Sequence, residues 1–135
     1  MKKTFLFAVI LVMSMLKLQA QEKITPEIVM QKVAKGKPFT LVILKPGLPM
    51  PKGSKDNDKL KMDHLVNLFQ MEKDGKISVF GPVMNDSTME GIIVFNSTDK
   101  ESIKKELSND PFIKAGYMKF ELYNWFTIPG QKIPE

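Results

Sequence analysis

Two short stretches, FTLVILK at residues 39–45 and GIIVF at residues 91–95, decide how this chain folds. In both, apolar side chains follow one another without a polar break: Leu41, Val42, Ile43 and Leu44 in the first, Ile92 through Phe95 in the second. A strand with one wet face alternates apolar and polar residues, whereas a strand apolar at successive positions is covered on both faces. The stretch from Tyr117 to Trp125 does alternate, with Lys119 and Glu121 on one side and Met118, Phe120 and Leu122 on the other. The first two strands are therefore expected at the centre of a sheet, and the last at its edge.

The segments between them supply the other elements. Thr25-Pro26-Glu27 carries a capping threonine and a proline at the first helical position, which opens a short helix closing near Gly36. Pro46 to Asn57 concentrates Pro, Gly and Ser and reads as a loop. From Asp58 to Lys73 apolar residues recur at 60, 62, 65, 66, 68, 69 and 71, a helical period that ends at Asp74-Gly75. Ile77 to Phe80 reads as a strand stopped by Gly81-Pro82, and Asn85 to Glu90 as a turn. Thr98-Asp99-Lys100-Glu101 reads as a capping box starting a helix that runs from Asp99 to about Leu107. Asp110-Pro111 starts one further helical turn, ending at Gly116.

The order β-α-β-β-α-β is the split βαβ pattern of ferredoxin-like folds. The expected class is α+β, a four-stranded antiparallel sheet with helices on one face. Two helices cover one face only, so the opposite face of the central strands needs another cover. A second copy of the chain is the economical answer, with Ile28, Val29 and Val33 of the N-terminal extension as the rival.

Composition narrows the chemistry. With 135 residues the chain supports one domain, and 43% hydrophobic with 26% charged residues is ordinary globular usage. There is no cysteine, which excludes disulfides and thiolate nucleophiles, and a single histidine leaves no multi-histidine metal site. All 20 basic residues are lysines. Without arginine, the usual bidentate reader of phosphate and guanine is missing, which counts against nucleic acid as a partner. No glycine-rich phosphate loop is present, and no cofactor is called for.

Residues 1–20 read MKKTFLFAVILVMSMLKLQA, with lysines at 2 and 3, an apolar run from Phe5 to Leu16 and a small residue at Ala20. Such a run spans roughly 18 Å as helix, short of the about 30 Å hydrocarbon core. It reads as a secretory signal of bacterial type, with Gln21 as the mature start and an exported (periplasmic or secreted) product. Cleavage would remove Lys2, Lys3 and Lys17 and no acid, so most of the formal +5 charge goes with it. No membrane association is expected afterwards. The expected organisation is a signal peptide (1–20), an N-terminal helical extension (21–37), one domain (38–126) and a C-terminal tail (127–135).

Several motifs then stand together: LKPG at 44–47, His64 within DHLVNL, DGKI at 74–77, GP at 81–82, the glycine opening GIIVF, DPFIKAGY at 110–117, and Trp125. From Phe39 to Trp125 the chain resembles the YciI-like (YCII-related) family, a branch of the dimeric α/β-barrel proteins. The resemblance implies a ferredoxin-like domain that pairs into a homodimer. It also implies a His–Asp pair in a pocket, which falls on His64 and Asp110. Family members often end in His-Pro-Trp; here Tyr123-Asn124-Trp125 stands instead, so no terminal histidine can take part.

The residues themselves are compatible with that assignment. Leu60, Leu68 and Met71 lie four before, four after and seven after His64, which puts the imidazole on the apolar side of its helix. An imidazole there can take or give a proton near neutral pH, and a carboxylate on one ring nitrogen would fix the tautomer and stabilise the charged form. Each residue also has a plain structural role open to it: His64 as a hydrogen-bonded core residue, Asp110 as a helix N-cap. Four further positions are candidates for ligand contact. Gly81 and Pro82 would offer backbone beneath the pocket, Lys45 would meet an anionic group, and Gly47 follows it. The alternatives are a strand end for the first pair and a solvated strand end for the second.

The function these signs point to is cofactor-independent proton transfer on a small organic molecule, isomerase- or lyase-like. The alternatives are a non-catalytic or stress-related domain that holds a small ligand in the same pocket, and a purely structural dimer module.

Overall fold

The structure is a computed structural model that describes residues 23–53 and 55–134; the segment read as a signal peptide lies outside the described residues. The chain divides into two units, one ending at Lys35 and the other starting at Gly36. In the first, helix α1 spans Pro26–Val33, with Thr25 as N-cap accepting from the Ile28 N–H at 3.4 Å and Pro26 opening the first turn. Among the described residues no helix is long and apolar enough to cross a membrane.

The second unit runs β1 (Lys37–Pro46), α2 (Lys55–Lys73), β2 (Ile77–Pro82), β3 (Gly91–Phe95), α3 (Lys100–Ser108), α4 (Pro111–Lys114) and β4 (Met118–Thr127). The sheet order is β2-β3-β1-β4 with every neighbouring pair antiparallel, so the two continuously apolar strands are the central ones. This is the ferredoxin-like α+β fold expected from the element order.

Alternation along the strands sorts their side chains. Val42 and Leu44 of β1 and Ile93 and Phe95 of β3 meet Leu68 and Met71 of α2 and Ile103 and Leu107 of α3 in one core, with Ile77 from β2. Met118, Phe120 and Leu122 of β4 pack against it from the edge. Fully burying each such side chain contributes roughly 1.5–3 kcal/mol, which is what holds the helices to this face. Thr40 is buried in the same row, and its hydroxyl donates to the Ser97 carbonyl at 2.8 Å.

Several boundaries differ from the sequence reading, each for a physical reason. Strand β1 extends to Lys37 and Pro46 because β4 pairs with it along the whole length, Lys37 with Thr127 through Pro46 with Met118. Helix α2 starts three residues earlier than its apolar period, in a polar first turn where Asp56 and Asp58 suit the helix N-terminus. Gly81 and Pro82 do not stop β2 but pair with Ile92 and Gly91. Proline is tolerated there because β2 is an edge strand. The capping box is displaced by one residue: Asp99, not Thr98, is the N-cap of α3, accepting from the Glu101 and Ser102 N–H groups at 3.1 Å. A carboxylate there reaches both orphan amides.

Candidate active site

Helix α2 is apolar on more than one side. Leu68 and Met71 enter the core, while Met62, Leu65, Val66 and Phe69 stay exposed. His64 lies between these stripes, its side chain 12% exposed. One turn further along the same helix is Asn67, three residues on and on the same side.

Facing them is the start of α4. Asp110 has the extended backbone of an N-cap, and Pro111 fills the first helical position. Its carboxylate is 1% exposed and accepts from four donors. Oδ1 takes the Phe112 N–H at 3.0 Å and the Ile113 N–H at 3.4 Å. Oδ2 takes the Asn67 amide at 2.9 Å. Nδ1 of His64 lies 2.9 Å from Oδ1 and 2.8 Å from Oδ2, spanning both oxygens.

These contacts decide the carboxyl's charge. Burial, the largest single influence, pushes the Asp110 pKa up. The hydrogen bonds from His64 and Asn67, the attraction of the ring and the Phe112 N–H together outweigh it and hold the pKa below the ordinary carboxylate value. An ionised Asp110 can only accept, so Nδ1 must carry the proton. The lone pair of the neutral ring is then on Nε2. Phe112 steadies the ring from the side, with centroids 5.4 Å apart.

His64 lines a cavity of about 540 Å³. Lys61 and Leu65 flank it on α2, Phe112 and Met118 close one side, and Gly81, Pro82 and Gly91 form the strand wall with Leu44. Gly91 has to be glycine: a Cβ there would come within 2.8 Å of the Gly81 carbonyl oxygen and 3.4 Å of Leu44 Cδ1. Nδ1 is held by Asp110, which leaves Nε2 as the nitrogen that can meet a molecule in the cavity.

No family model and no curated protein sequence matches this chain. Solved structures do. Muconolactone isomerase superposes with a TM-score of 0.54 at 16% identity, covering 72% of this chain and 97% of the isomerase. The likeness is one of fold. A second structure, 5-chloro-2-hydroxyhydroquinone dehydrochlorinase (TftG) from Burkholderia phenoliruptrix AC1100 in complex with 2,5-dihydroxybenzoquinone, gives 0.47 at 20% identity, over 64% of this chain and 92% of the other.

Of the positions singled out from sequence, the fold brings His64 and Asp110 into contact and sets Gly81 and Pro82 in the wall of the same cavity. Lys45 and Gly47 lie elsewhere. Lys45 is on the opposite face of the sheet, 3.6 Å from the Glu121 carboxylate. Gly47 continues the pairing of β1 past its end: its N–H donates to the Tyr117 carbonyl at 2.9 Å. A Cβ at Gly47 would overlap the Gly116 carbonyl oxygen, so this glycine serves a close backbone approach. Three polar residues of the site escape the sequence reading: Asn67, Lys61 and Glu90. Lys61, His64 and Asn67 are spaced by threes on one helix, a signal present in the sequence once His64 is taken as the reference. Among the described residues no group of three or more His, Asp or Glu could hold a metal ion.

Proposed function

We propose that this chain is an exported, YciI-like enzyme that moves a proton within a small organic molecule, using His64 as general base and acid and Asp110 as its fixed counter-charge. The observation that carries the proposal is the spanning contact of Nδ1 with both Asp110 oxygens at 2.8 and 2.9 Å, beside a largely apolar cavity that His64 lines. The carboxylate sets the tautomer, so Nε2 takes a proton from a carbon beside a carbonyl. The imidazolium that results is stabilised by Asp110, and Asn67 keeps that carboxylate in place. Returning the proton to a different carbon completes an isomerisation; departure of a group from the neighbouring carbon completes an elimination. General acid–base catalysis of this kind contributes about 10²–10⁴-fold. A fold neighbour bears the name muconolactone isomerase, and an isomerisation by proton shift can be run by one group that takes and returns the proton.

In the same reading the protein is a homodimer formed through the sheet face that the helices leave open, where Leu41 and Ile43 of β1 and Ile92 of β3 are half-buried. Export is inferred from the composition of residues 1–20.

Deuterium uptake tests the chemistry whatever the natural substrate is. The protein is incubated in D₂O with a panel of small ketones, oxo acids and unsaturated lactones, and loss of C–H signal is followed by proton NMR. The wild type is expected to exchange at least one member, and His64→Asn to slow that exchange by about 10²-fold or more. Exchange at the same rate in both proteins would sink the proposal.

A further inference from the structure

Beside the His64 cavity lies a second hollow of about 380 Å³, bounded by the loop after β1 and the first turns of α2. Its charged lining is Lys52, Lys55, Asp58 and Lys61, three ammonium groups against one carboxylate. Lys61 lines both spaces and therefore stands where they adjoin.

The distinctive feature is that three lysines converge on one hollow. Lys45, Lys59, Lys76 and Lys104 each lie within 4 Å of a carboxylate, with contacts from 2.5 to 3.6 Å. Among the described residues no ion pair engages Lys52, Lys55 or Lys61. The helical carboxylate best placed to serve, Asp58, lies three residues from both Lys55 and Lys61 on α2, and no ion pair joins it to either among the described residues. The cavity itself holds one carboxylate, Glu90, so positive charge is in excess only on the outer side of Lys61. Beyond Lys61 the lining turns apolar, with Leu65, Leu68, Phe80 and Phe112 around His64.

We propose that Lys61 is the binding residue for an anionic group, and that the molecule turned over at His64 is a small organic acid: an apolar body in the cavity and a carboxylate at its mouth. The inference rests on the reading of the His64 cavity as the active site. Lys61 and His64 are three residues apart on one helix face, with Cβ atoms about 5–6 Å from each other. A carboxylate held by the Lys61 ammonium thus leaves carbons two to four bonds away within reach of Nε2. Lys61 fixes one end of the molecule, and the apolar wall excludes water from the other. The lysine stem can lie along the apolar rim while its ammonium stays at the opening. Lys52 and Lys55 add a positive field to the approach, which steers anions and fades with salt.

The test measures binding alone, so it does not depend on turnover. 3-Phenylpropanoate and its uncharged amide are titrated separately into isotope-labelled protein, followed by amide shifts of Lys61, Leu65 and Phe112 and by the ring signals of the single histidine. Wild type is expected to bind the carboxylate about fivefold more tightly than the amide, the scale of one partly solvated ion pair. Lys61→Met should abolish that preference and leave amide binding unchanged, Lys61→Arg should keep it, and raising salt should shrink it. His64→Asn should keep it too, because the anion is held elsewhere. Equal affinity of wild type for acid and amide, absence of carboxylate binding at about 10 mM, or a preference that survives in Lys61→Met would overturn the proposal. If deuterium exchange fails while the preference stands, the catalytic role of His64 falls and the anion site remains. The converse result removes the anion site and leaves the proton transfer.

Discussion

Leu41 and Val42 are consecutive aliphatic residues of the same central strand, yet they meet different surroundings. Val42 is fully buried among α2, α3 and β3, whereas Leu41 is half-buried and lines a groove of about 820 Å³ on the sheet's other face. The same contrast runs through both faces. On one, the chain covers its strands with its own helices and leaves no buried side-chain polar atom without a partner among the described residues. On the other, Phe39, Val94 and Trp125 border the groove together with Ile128 and Ile133 of the C-terminal tail, while Lys45, Glu121 and Tyr123 form a charged, hydrogen-bonded end. A strand apolar at every position is thus built for two covers, and the helices are only one of them.

The largest effect expected from this difference is in the core. Ile93, 1% exposed, truncated to alanine should cost about 3 kcal/mol in urea denaturation, while Leu41→Ala should cost about 1 kcal/mol in dilute protein. If a second copy covers the open face, the Leu41→Ala penalty should grow with protein concentration and that of Ile93→Ala should not, since only the first weakens an association. Equal, concentration-independent penalties would erase the distinction between the faces.

An intermediate effect belongs to Asp110, which joins the helix layer to the cavity. Asp110→Ala removes the cap of α4 and leaves His64 and Asn67 without their acceptor, at an expected cost of about 2–3 kcal/mol. Asp110→Asn keeps a capping oxygen and should cost less. Its penalty should also depend on pH. The folded-state pKa of Asp110 lies below the ordinary carboxylate value, so its charge stabilises the protein above about pH 4, and that stabilisation is lost as pH falls through the depressed value. The gap between wild type and Asp110→Asn should therefore be full at neutral pH and close in acid. A gap constant from pH 7 to pH 2 would show that the carboxylate's charge is not what the site uses.

The smallest signal is spectroscopic. Trp125 is the only tryptophan, 38% exposed on the open face and with its ring 6.4 Å from Phe39. Dilution from about 50 µM to about 50 nM should shift its emission to the red if a second copy covers that face, and leave it unchanged if the chain stays alone.

Legibility from sequence differed between fold and site for a reason these residues make plain. The sheet order was readable because continuous apolarity in 41–44 and 92–95 and alternation in 118–122 are consequences of burial, and burial is what a side chain's polarity records. Asp110-Pro111 was readable as a cap because capping is a local backbone matter. The strand beyond Phe80 was not, because pairing with β3 overrides the punctuation of Gly81-Pro82. Lys45 and Gly47 looked like neighbours of a pocket in sequence, and strand alternation with the tight β1–β4 approach sends both away from it.

Residue identity and short-range spacing account for the set of elements, their periodicities, and the absence of cysteine, arginine and a second histidine. Long-range packing makes one carboxylate cap α4, accept from Asn67 and span Nδ1 of His64 at once, and makes Lys61 line two adjoining hollows. His64 and Asp110 are 46 residues apart in the chain. Their meeting depends on how α2 and α4 pack against each other over the sheet, and packing is a property of the whole core, not of either segment.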